Sequence, residues 1–203
     1  MAMVLLVAVA ARHQWSDQQE LSRKIVHIGS GFVLPLAWFV QIPTVVAVTA
    51  AATATLVAFI NHRWRLIPAV EDVDRSSYGT VAYGLSITLL LIWFWPHHPD
   101  AVVVGVLVMA LGDGLAGLIG RQIRSPNWSI AGQTKSLLGT SVMAGVSFSV
   151  LFMTATWMGL SPQLWSFTLI TGIAVLLEQF SILGLDNLSV PIVTAILWAA
   201  WVR

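Results

Sequence analysis

The sequence predicts an all-α fold, a polytopic bundle of about seven transmembrane helices that forms one domain over residues 1–203. Charged residues make up 9% of the 203 residues and hydrophobic residues 57%, whereas about 25% of an ordinary soluble domain is charged. So few charges cannot cover the surface of a water-soluble globule of this size. The composition therefore excludes a soluble enzyme, and the absence of cysteine excludes thiolate zinc sites and thiol catalysis.

Four stretches without a charged residue locate the predicted spans, at 25–62, 76–99, 136–177 and 187–202. Because a helix needs about 20 apolar residues to cross a bilayer, the first and third stretches each hold two spans, with turns at 41–43 and 159–162. The predicted spans are 22–40, 42–60, 78–95, 101–119, 137–159, 163–183 and 189–202, and Pro191 fits the first turn of the last one. Residues 1–19 are interpreted as the stub of a further helix followed by a cytoplasmic segment, so the functional bundle is expected over 20–203.

Lysine and arginine predict the orientation of the bundle. They are grouped in segments 12–24, 61–77 and 120–136 and are absent from the turns near 41, 96–100 and 160–162. Basic loops stay on the cytoplasmic side of a membrane, so we expect these three segments to face the cytoplasm. Most ionisable residues near the helix ends then gather at the cytoplasmic leaflet, where a soluble, charged substrate can meet a lipid.

Glu20, Arg23, Lys24 and His27 share one face of the first predicted span, because they recur at i, i+3, i+4 and i+7. Arg23 and Lys24 are candidates to bind phosphate oxygens, with Glu20 orienting them. The alternative is an ordinary interfacial helix start, in which the cations snorkel to the membrane surface and form a local ion pair.

Asp113 lies in the glycine-rich run 112–120 of the fourth predicted span. Gly112, Ala116 and Gly120 recur every four residues, which permits close helix packing and explains the glycines. It does not explain Asp113, since a carboxylate at the centre of a transmembrane helix costs about 2.5–3.5 kcal/mol. Mg²⁺ would offset this cost because hard cations prefer carboxylate oxygens. Asp113 is thus a candidate metal ligand, and the run supplies three candidate nucleotide-binding positions, Gly114, Gly117 and Gly120.

The segment 132–140 joins a glycine-containing loop to the start of the fifth predicted span. We expect Lys135 and Ser136 near the exposed amides of this helix, which attract phosphate together with the helix dipole, and Lys135 adds a positive charge. The segment is not a Walker A loop, because Thr134 stands where that motif has glycine. An ordinary basic cytoplasmic loop explains the segment equally well. The candidate phosphate-binding residues here are Gly132, Lys135, Ser136, Gly139 and Thr140.

Glu178 interrupts an otherwise apolar run, and Asp186 and Asn187 follow it in the next predicted loop. A helix-ending turn explains Asn187 as the cap of the last span, but Glu178 in an apolar run needs a partner or a proton. Glu178 and Asp186 are candidate metal ligands together with Asp113, and they are also candidate general bases.

Taken in order, these motifs resemble the phytol kinase branch of the polyprenol/dolichol kinase family. The resemblance covers the chain from about residue 20 onward. It rests on four segments: Glu20-Leu21-Ser22-Arg23-Lys24-Ile25-Val26-His27; Asp113-Gly114-Leu115-Ala116…Gly120; Lys135-Ser136-Leu137-Leu138-Gly139-Thr140; and Glu178…Asp186-Asn187-Leu188-Ser189-Val190-Pro191.

The resemblance implies an integral membrane kinase that phosphorylates a long isoprenoid alcohol with CTP and Mg²⁺, phytol being the leading choice of alcohol. In photosynthetic organisms such enzymes return phytol from chlorophyll breakdown to tocopherol synthesis. In the mechanism we expect, Asp113, Lys135, Glu178 and Asp186 are catalytic, and Asp186 is the first choice to orient or deprotonate the alcohol. Related alternatives are a dolichol, polyprenol or diacylglycerol kinase and a phosphatidate cytidylyltransferase. A transporter that uses the same carboxylates as an ion or proton path is an alternative of another class.

Overall fold

The computed structural model describes residues 19–64, 78–130 and 132–203, with side chains from Lys24 onward in these ranges. Nine α-helices follow one another in this part of the chain: α1 (Gln19–Gly31), α2 (Val33–Phe39), α3 (Thr44–Trp64), α4 (Gly79–Phe94), α5 (Pro99–Leu107), α6 (Gly114–Gln122), α7 (Leu137–Trp157), α8 (Leu164–Gln179) and α9 (Asp186–Trp201). A π-helical turn, Val108–Asp113, joins α5 to α6. Strands β1 (Asn127–Ile130) and β2 (Gln133–Ser136) form an antiparallel hairpin between α6 and α7. The predicted N-terminal stub and most of the predicted loop 61–77 lie outside the described residues.

The helices confirm an all-α membrane protein. Three continuous helical segments are long and apolar enough to cross a bilayer: Thr44–Trp64, Pro99–Gln122 and Leu137–Trp157. Shorter apolar helices cover Lys24–Phe39, Gly79–Phe94 and Leu164–Gln179. These six segments and α9 coincide with the seven predicted spans, but the number that cross the bilayer and their orientation stay predictions.

The segment formed by α5, the π turn and α6 lies at the centre of the bundle. Val102, Val104 and Val106 on α5 are fully buried, and the segment packs against α1, α4, α7 and α9. Gly105 permits the close approach of α9, because a Cβ at this position would collide with the carbonyl oxygen of Pro191. The helix α3 packs against α4 and leaves most of its surface outside the bundle.

Two predicted spans differ from the observed helices near a proline. The span 22–40 is interrupted at Phe32, between α1 and α2. The cause is Pro35, which has no N–H and whose ring is incompatible with a helical carbonyl at Gly31, four residues earlier. The prediction that Pro191 lies in the first turn of the last span is wrong, because α9 begins at Asp186 and Pro191 lies inside it.

The turn between α8 and α9 explains the other boundary differences. The predicted span 163–183 ends early, at Gln179. The helix could not have continued to residue 184, because the backbone at Leu183 and Gly184 has φ values of 57° and 83°, which a right-handed helix does not contain. The hydroxyl of Ser181 then accepts a hydrogen bond from the Asp186 amide at 2.8 Å. This bond satisfies one of the amides at the start of α9 and lets the helix begin before residue 189.

Candidate active site

A cavity of about 910 Å³ lies at one end of the bundle, between α1, α6, the hairpin, α8 and the start of α9. Most of the residues singled out in the sequence line this cavity: Lys24, Asp113, Gly117, Gly120, Gly132, Lys135, Ser136, Gly139, Thr140, Glu178, Asp186 and Asn187. Residues separated by up to 163 positions are thus brought to one place. The π turn and the hairpin position several of these side chains in the cavity.

Lys24 and Asp113 form the first ion pair of the site. The Lys24 ammonium donates to Asp113 Oδ2 at 2.5 Å and to the Asp113 carbonyl oxygen at 3.2 Å. His27 Nε2 lies 3.7 Å from the same carboxylate oxygen. Gly117 leaves the space that Lys24 occupies, because a Cβ there would lie 2.9 Å from Lys24 Cε. One helix face of α1 therefore meets the carboxylate at the end of the π turn, as the spacing of Lys24 and His27 predicts.

Lys135 and Glu178 form the second ion pair, and the hairpin supplies its geometry. Lys135 donates to the Glu178 carboxylate and, at 2.9 Å, to the Glu178 carbonyl oxygen. Trp128 lies opposite Lys135 in the hairpin register, so both side chains project from the same face of the two strands. The Trp128 indole N–H donates to Gln179 Oε1 at 3.1 Å. Two paired residues of the hairpin thus reach two consecutive residues of α8.

The first amides of α7 are already hydrogen-bonded. Ser136 caps the helix, its hydroxyl accepting from the Gly139 N–H at 3.1 Å. The Leu137 N–H donates to the Pro126 carbonyl at 2.8 Å, and the Leu138 N–H donates to the Ser125 hydroxyl at 3.3 Å. These amides are therefore not exposed as expected, and the predicted phosphate-binding role of Lys135 and Ser136 stays a prediction. The positively charged side chains that line the cavity are the other candidates to bind phosphate.

The glycines of the site differ in what they do. Gly120 packs directly against the start of α7, because a Cβ there would lie 2.9 Å from Ser136 Oγ and 3.1 Å from Gly139 Cα. Gly114 does not line the cavity: it packs against the side chain of Ile28. The observed role of Gly114 is helix packing, and its predicted nucleotide-binding role stays a prediction. The side chains of Glu20 and Arg23 lie outside the described residues, so their predicted roles stay predictions.

Asp186 and Asn187 lie where α9 begins, at the edge of the cavity. Asp186 Oδ1 accepts from the Asn187 amide N–H at 3.0 Å and from Asn187 Nδ2 at 3.1 Å. Asp186 also interacts electrostatically with Asp113 and Lys135. The carboxylate is thus oriented by its neighbour and lies in the field of both ion pairs.

Sequence reasoning missed Gln179 as a part of this site. Its amide nitrogen donates to Thr140 Oγ1 at 3.0 Å and to Glu178 Oε2 at 2.9 Å, while its oxygen accepts from Trp128. One buried amide therefore joins the hairpin, α7 and the carboxylate of the second ion pair. The available signal was its position directly after Glu178 in an apolar run.

Arg121 and Arg124, which in the sequence indicate only the orientation of the bundle, both line the cavity and are exposed. The described lining also includes polar residues that the sequence did not single out, namely Ser125, Asn127, Gln133 and Thr134. Among the described lining residues, four cations (Lys24, Arg121, Arg124, Lys135) face three carboxylates (Asp113, Glu178, Asp186). These charged side chains therefore place positive groups where phosphate oxygens could bind and carboxylates where a cation could bind.

The carboxylates suit a magnesium ion that arrives with a phosphorylated substrate. In the described part of the chain, no group of three or more Asp, Glu or His side chains could hold a metal ion by itself. Mg²⁺ is commonly bound by one or two carboxylates together with substrate phosphates. Asp113 and Asp186 fit this pattern, since both carboxylates belong to the same cavity. Both carboxylate oxygens of Glu178 already accept hydrogen bonds, from Lys135 and Gln179.

Comparison with known proteins gives the family. A phytol kinase from Synechocystis sp. is 38% identical over 208 aligned residues, which cover 97% of this chain and 86% of that protein. Phytol kinase 1, chloroplastic, from Arabidopsis thaliana is 27% identical over 87% of this chain and 65% of that protein. Farnesol kinase, chloroplastic, from the same plant is 29% identical over 66% of this chain and 48% of that protein. No family model matches, and no solved structure matches. The identity to the cyanobacterial enzyme extends over nearly the whole chain, and the chain therefore belongs to the phytol kinase family.

Proposed function

We propose that this protein phosphorylates a long-chain isoprenoid alcohol, phytol to phytyl phosphate, with CTP as donor, at the cytoplasmic leaflet of a membrane. The observation that carries the proposal is the cavity itself, in which four cations and three carboxylates gather at one end of an apolar helical bundle. A phosphoryl donor needs this polar end, and a lipid acceptor needs the apolar helices beside it. The names of the relatives, phytol and farnesol kinases, support the same reaction class.

Lys135, Arg121 and Arg124 are the residues we assign to the donor phosphates. They line the cavity together with Ser136 and Gly139 at the start of α7, whose dipole adds a partial positive charge. Lys24 lines the same cavity, where its ammonium is paired with the Asp113 carboxylate. Phosphoryl transfer depends on positioning and charge neutralisation, and these side chains provide both. The choice of CTP over other nucleotides comes from the family resemblance.

The transfer step uses Asp186. The hydroxyl oxygen of the alcohol attacks the γ-phosphorus, and the bond between that phosphorus and the β,γ-bridging oxygen breaks. The electron pair of the broken bond leaves with CDP, and the hydroxyl proton passes to the Asp186 carboxylate, with Glu178 as the second choice. Asn187 orients Asp186 for this role. The products are the alkyl phosphate and CDP.

Asp113 would hold Mg²⁺, with Asp186 or Glu178 as a further carboxylate ligand from the same cavity. When bound, the ion neutralises charge on the donor phosphates. Asp113 is suited to this role because its hydrogen bonds with Lys24 fix the carboxylate at the end of the π turn. The π turn widens the helix locally and places Asp113 at the cavity.

The decisive experiment incubates purified protein in detergent with Mg²⁺, γ-labelled CTP and phytol, and follows the label into the lipid phase. We expect labelled phytyl phosphate that disappears when phytol is omitted. Unlabelled CTP should compete better than ATP. The absence of label with phytol, farnesol, dolichol and diacylglycerol would overturn the kinase proposal. Phosphatidate would then be tested for CDP-lipid formation, and liposomes for ion or proton flux.

A further inference from the structure

The turn that joins α8 to α9 has two chemically different faces. Its large apolar residues are exposed, Phe180 at 65%, Ile182 at 52%, Leu183 at 56% and Leu185 at 52% of their surface. Its serine, Ser181, is buried and binds the Asp186 amide. Here the apolar side chains point out and the polar group points in.

Leu183 shows that the apolar character is not required by the backbone. Its φ of 57° lies in the left-handed region, which glycine and asparagine adopt more readily than leucine does. Gly184, with φ 83°, already provides one such residue in this turn. The Leu183 side chain is 56% exposed and forms part of the apolar outer face of the turn.

The turn is continuous with the cavity. Gly184, Asp186 and Asn187 line the cavity, while Leu183 and Leu185 beside them are exposed. Leu183 and Asp186 are three residues apart, so their backbones lie within about 11 Å of each other. A molecule with a hydroxyl at one end and an apolar chain at the other could therefore touch both at once.

We propose that the outer face of this turn, formed by Phe180, Ile182, Leu183 and Leu185, binds the first part of the apolar chain of the acceptor alcohol and guides its hydroxyl to Asp186. The proposal rests on the proposed function, because the occupant is the alcohol that the cavity phosphorylates. In the proposed arrangement the apolar outer face of the turn lies against the bilayer, so that the alcohol moves from the membrane onto it without crossing water. The chain buries apolar surface on these residues, which stabilises the complex.

Photolabelling tests the binding surface without requiring catalysis. The full-length protein in phosphatidylcholine vesicles is irradiated with phytol that carries a diazirine near its hydroxyl end, and the labelled peptide is mapped by mass spectrometry. We expect the label in residues 180–185 and its loss when unmodified phytol is added. Labelling elsewhere, or equal labelling by a diazirine alkane without a hydroxyl, would overturn the proposal. Labelling of the turn without any phosphate transfer would overturn the kinase function and retain the binding surface.

Matched asparagine variants test the same surface kinetically. Leu183→Asn suits the left-handed backbone. Leu164→Asn alters a leucine of nearly the same exposure, 57% against 56%, at the opposite end of α8. We expect Leu183→Asn to raise the KM for phytol about tenfold, the equivalent of about 1.4 kcal/mol of lost apolar contact, and to leave the KM for CTP unchanged. Leu164→Asn should change neither value. An equal effect of the two variants, or no effect of Leu183→Asn, would contradict the proposal.

Discussion

At the residue scale, the contact between Lys24 and Asp113 joins stability to chemistry. Lys24 is 4% exposed and its ammonium lies 2.5 Å from the Asp113 carboxylate. Asp113→Asn leaves this cation without its counter-ion, and such a change destabilises a protein by about 3 kcal/mol. It also removes the proposed metal ligand, so we expect CTP-dependent transfer to fall at least about 100-fold. Label transfer to phytol and thermal unfolding in detergent measure the two effects.

A double variant, Lys24→Met with Asp113→Leu, is the control for this prediction. Apolar replacement of both members of a buried pair is often neutral for stability. We therefore expect the unfolding temperature to return toward that of the wild type while transfer stays lost. Recovery of both the unfolding temperature and the transfer activity would show that Asp113 acts only in folding and has no role in the reaction.

Gln179 tests whether the hairpin must be held in place. Gln179→Leu removes the acceptor of Trp128 and the donors to Thr140 and Glu178, and each buried group left unpaired costs about 1–3 kcal/mol. Because the hairpin carries Lys135, we expect the KM for CTP to rise more than the KM for phytol. Gln163→Leu, at the other end of α8 with one hydrogen bond to Ser166, should leave both values unchanged. A lower stability with an unchanged KM for CTP would show a purely structural role.

The sequence could predict some of these residues and not others for a physical reason. Asp113 and Glu178 are conspicuous because an ionisable side chain in an apolar run is costly. Gln179 is not, because a neutral amide costs less and gives no signal of its own. The pairing of Lys24 with Asp113 joins residues 89 positions apart. Such a contact depends on the packing of α1 against the π turn, which helical spacing alone does not specify.

At the element scale, the contact between α6 and α7 depends on Gly120. Gly120→Ala would place a methyl group 3.1 Å from the Gly139 Cα, and backbone atoms cannot move aside as a flexible side chain can. Overpacking of this kind costs about 1–3 kcal/mol. The methyl would also displace Ser136, the residue after Lys135, so we expect both the unfolding temperature and the transfer rate to fall.

Gly145→Ala provides the matched control, because the Cβ added at this exposed position of α7 would meet nothing within 4 Å. Alanine is preferred to glycine inside a helix by about 0.5–1 kcal/mol. We therefore expect a slightly higher unfolding temperature and an unchanged rate. Equal losses in the two glycine variants would mean that the helix interior, rather than the contact of α6 with α7, determines the effect.

The elements that the sequence predicted well are those that composition alone determines. Long stretches without charge located α3, α4, α7 and α8 within a few residues. The hairpin has only four residues in each strand, which is too short for a periodic pattern to appear. The π turn arises from the tertiary packing around Asp113 and has no pattern of its own. Both features shape the cavity, so the site was predicted by residue type rather than by geometry.

At the scale of the whole molecule, the two ends of the bundle are chemically unlike. One end holds the cavity with its four cations and three carboxylates. At the other end Asp100 is fully buried, and it accepts hydrogen bonds from the Trp198 indole at 2.8 Å and from Arg203. Asp113, Glu178 and Asp186 line an open cavity, whereas the Asp100 carboxylate is hydrogen-bonded within the protein. The asymmetry favours an enzyme that works at one leaflet over a path that crosses the membrane.

The orientation of this asymmetric bundle is open to a direct test, because the chain has no cysteine and a single introduced thiol is the only site for a maleimide. Ser129→Cys places the thiol on the exposed part of the hairpin, and Ser161→Cys places it in the exposed turn between α7 and α8. The basic segment around the hairpin predicts that it faces the cytoplasm. In inverted membrane vesicles, whose cytoplasmic side faces outward, we expect a membrane-impermeant maleimide to label Ser129→Cys and spare Ser161→Cys. In intact cells the pattern should reverse. The opposite pattern in both preparations would place the cavity at the other leaflet, where cytoplasmic CTP cannot reach it.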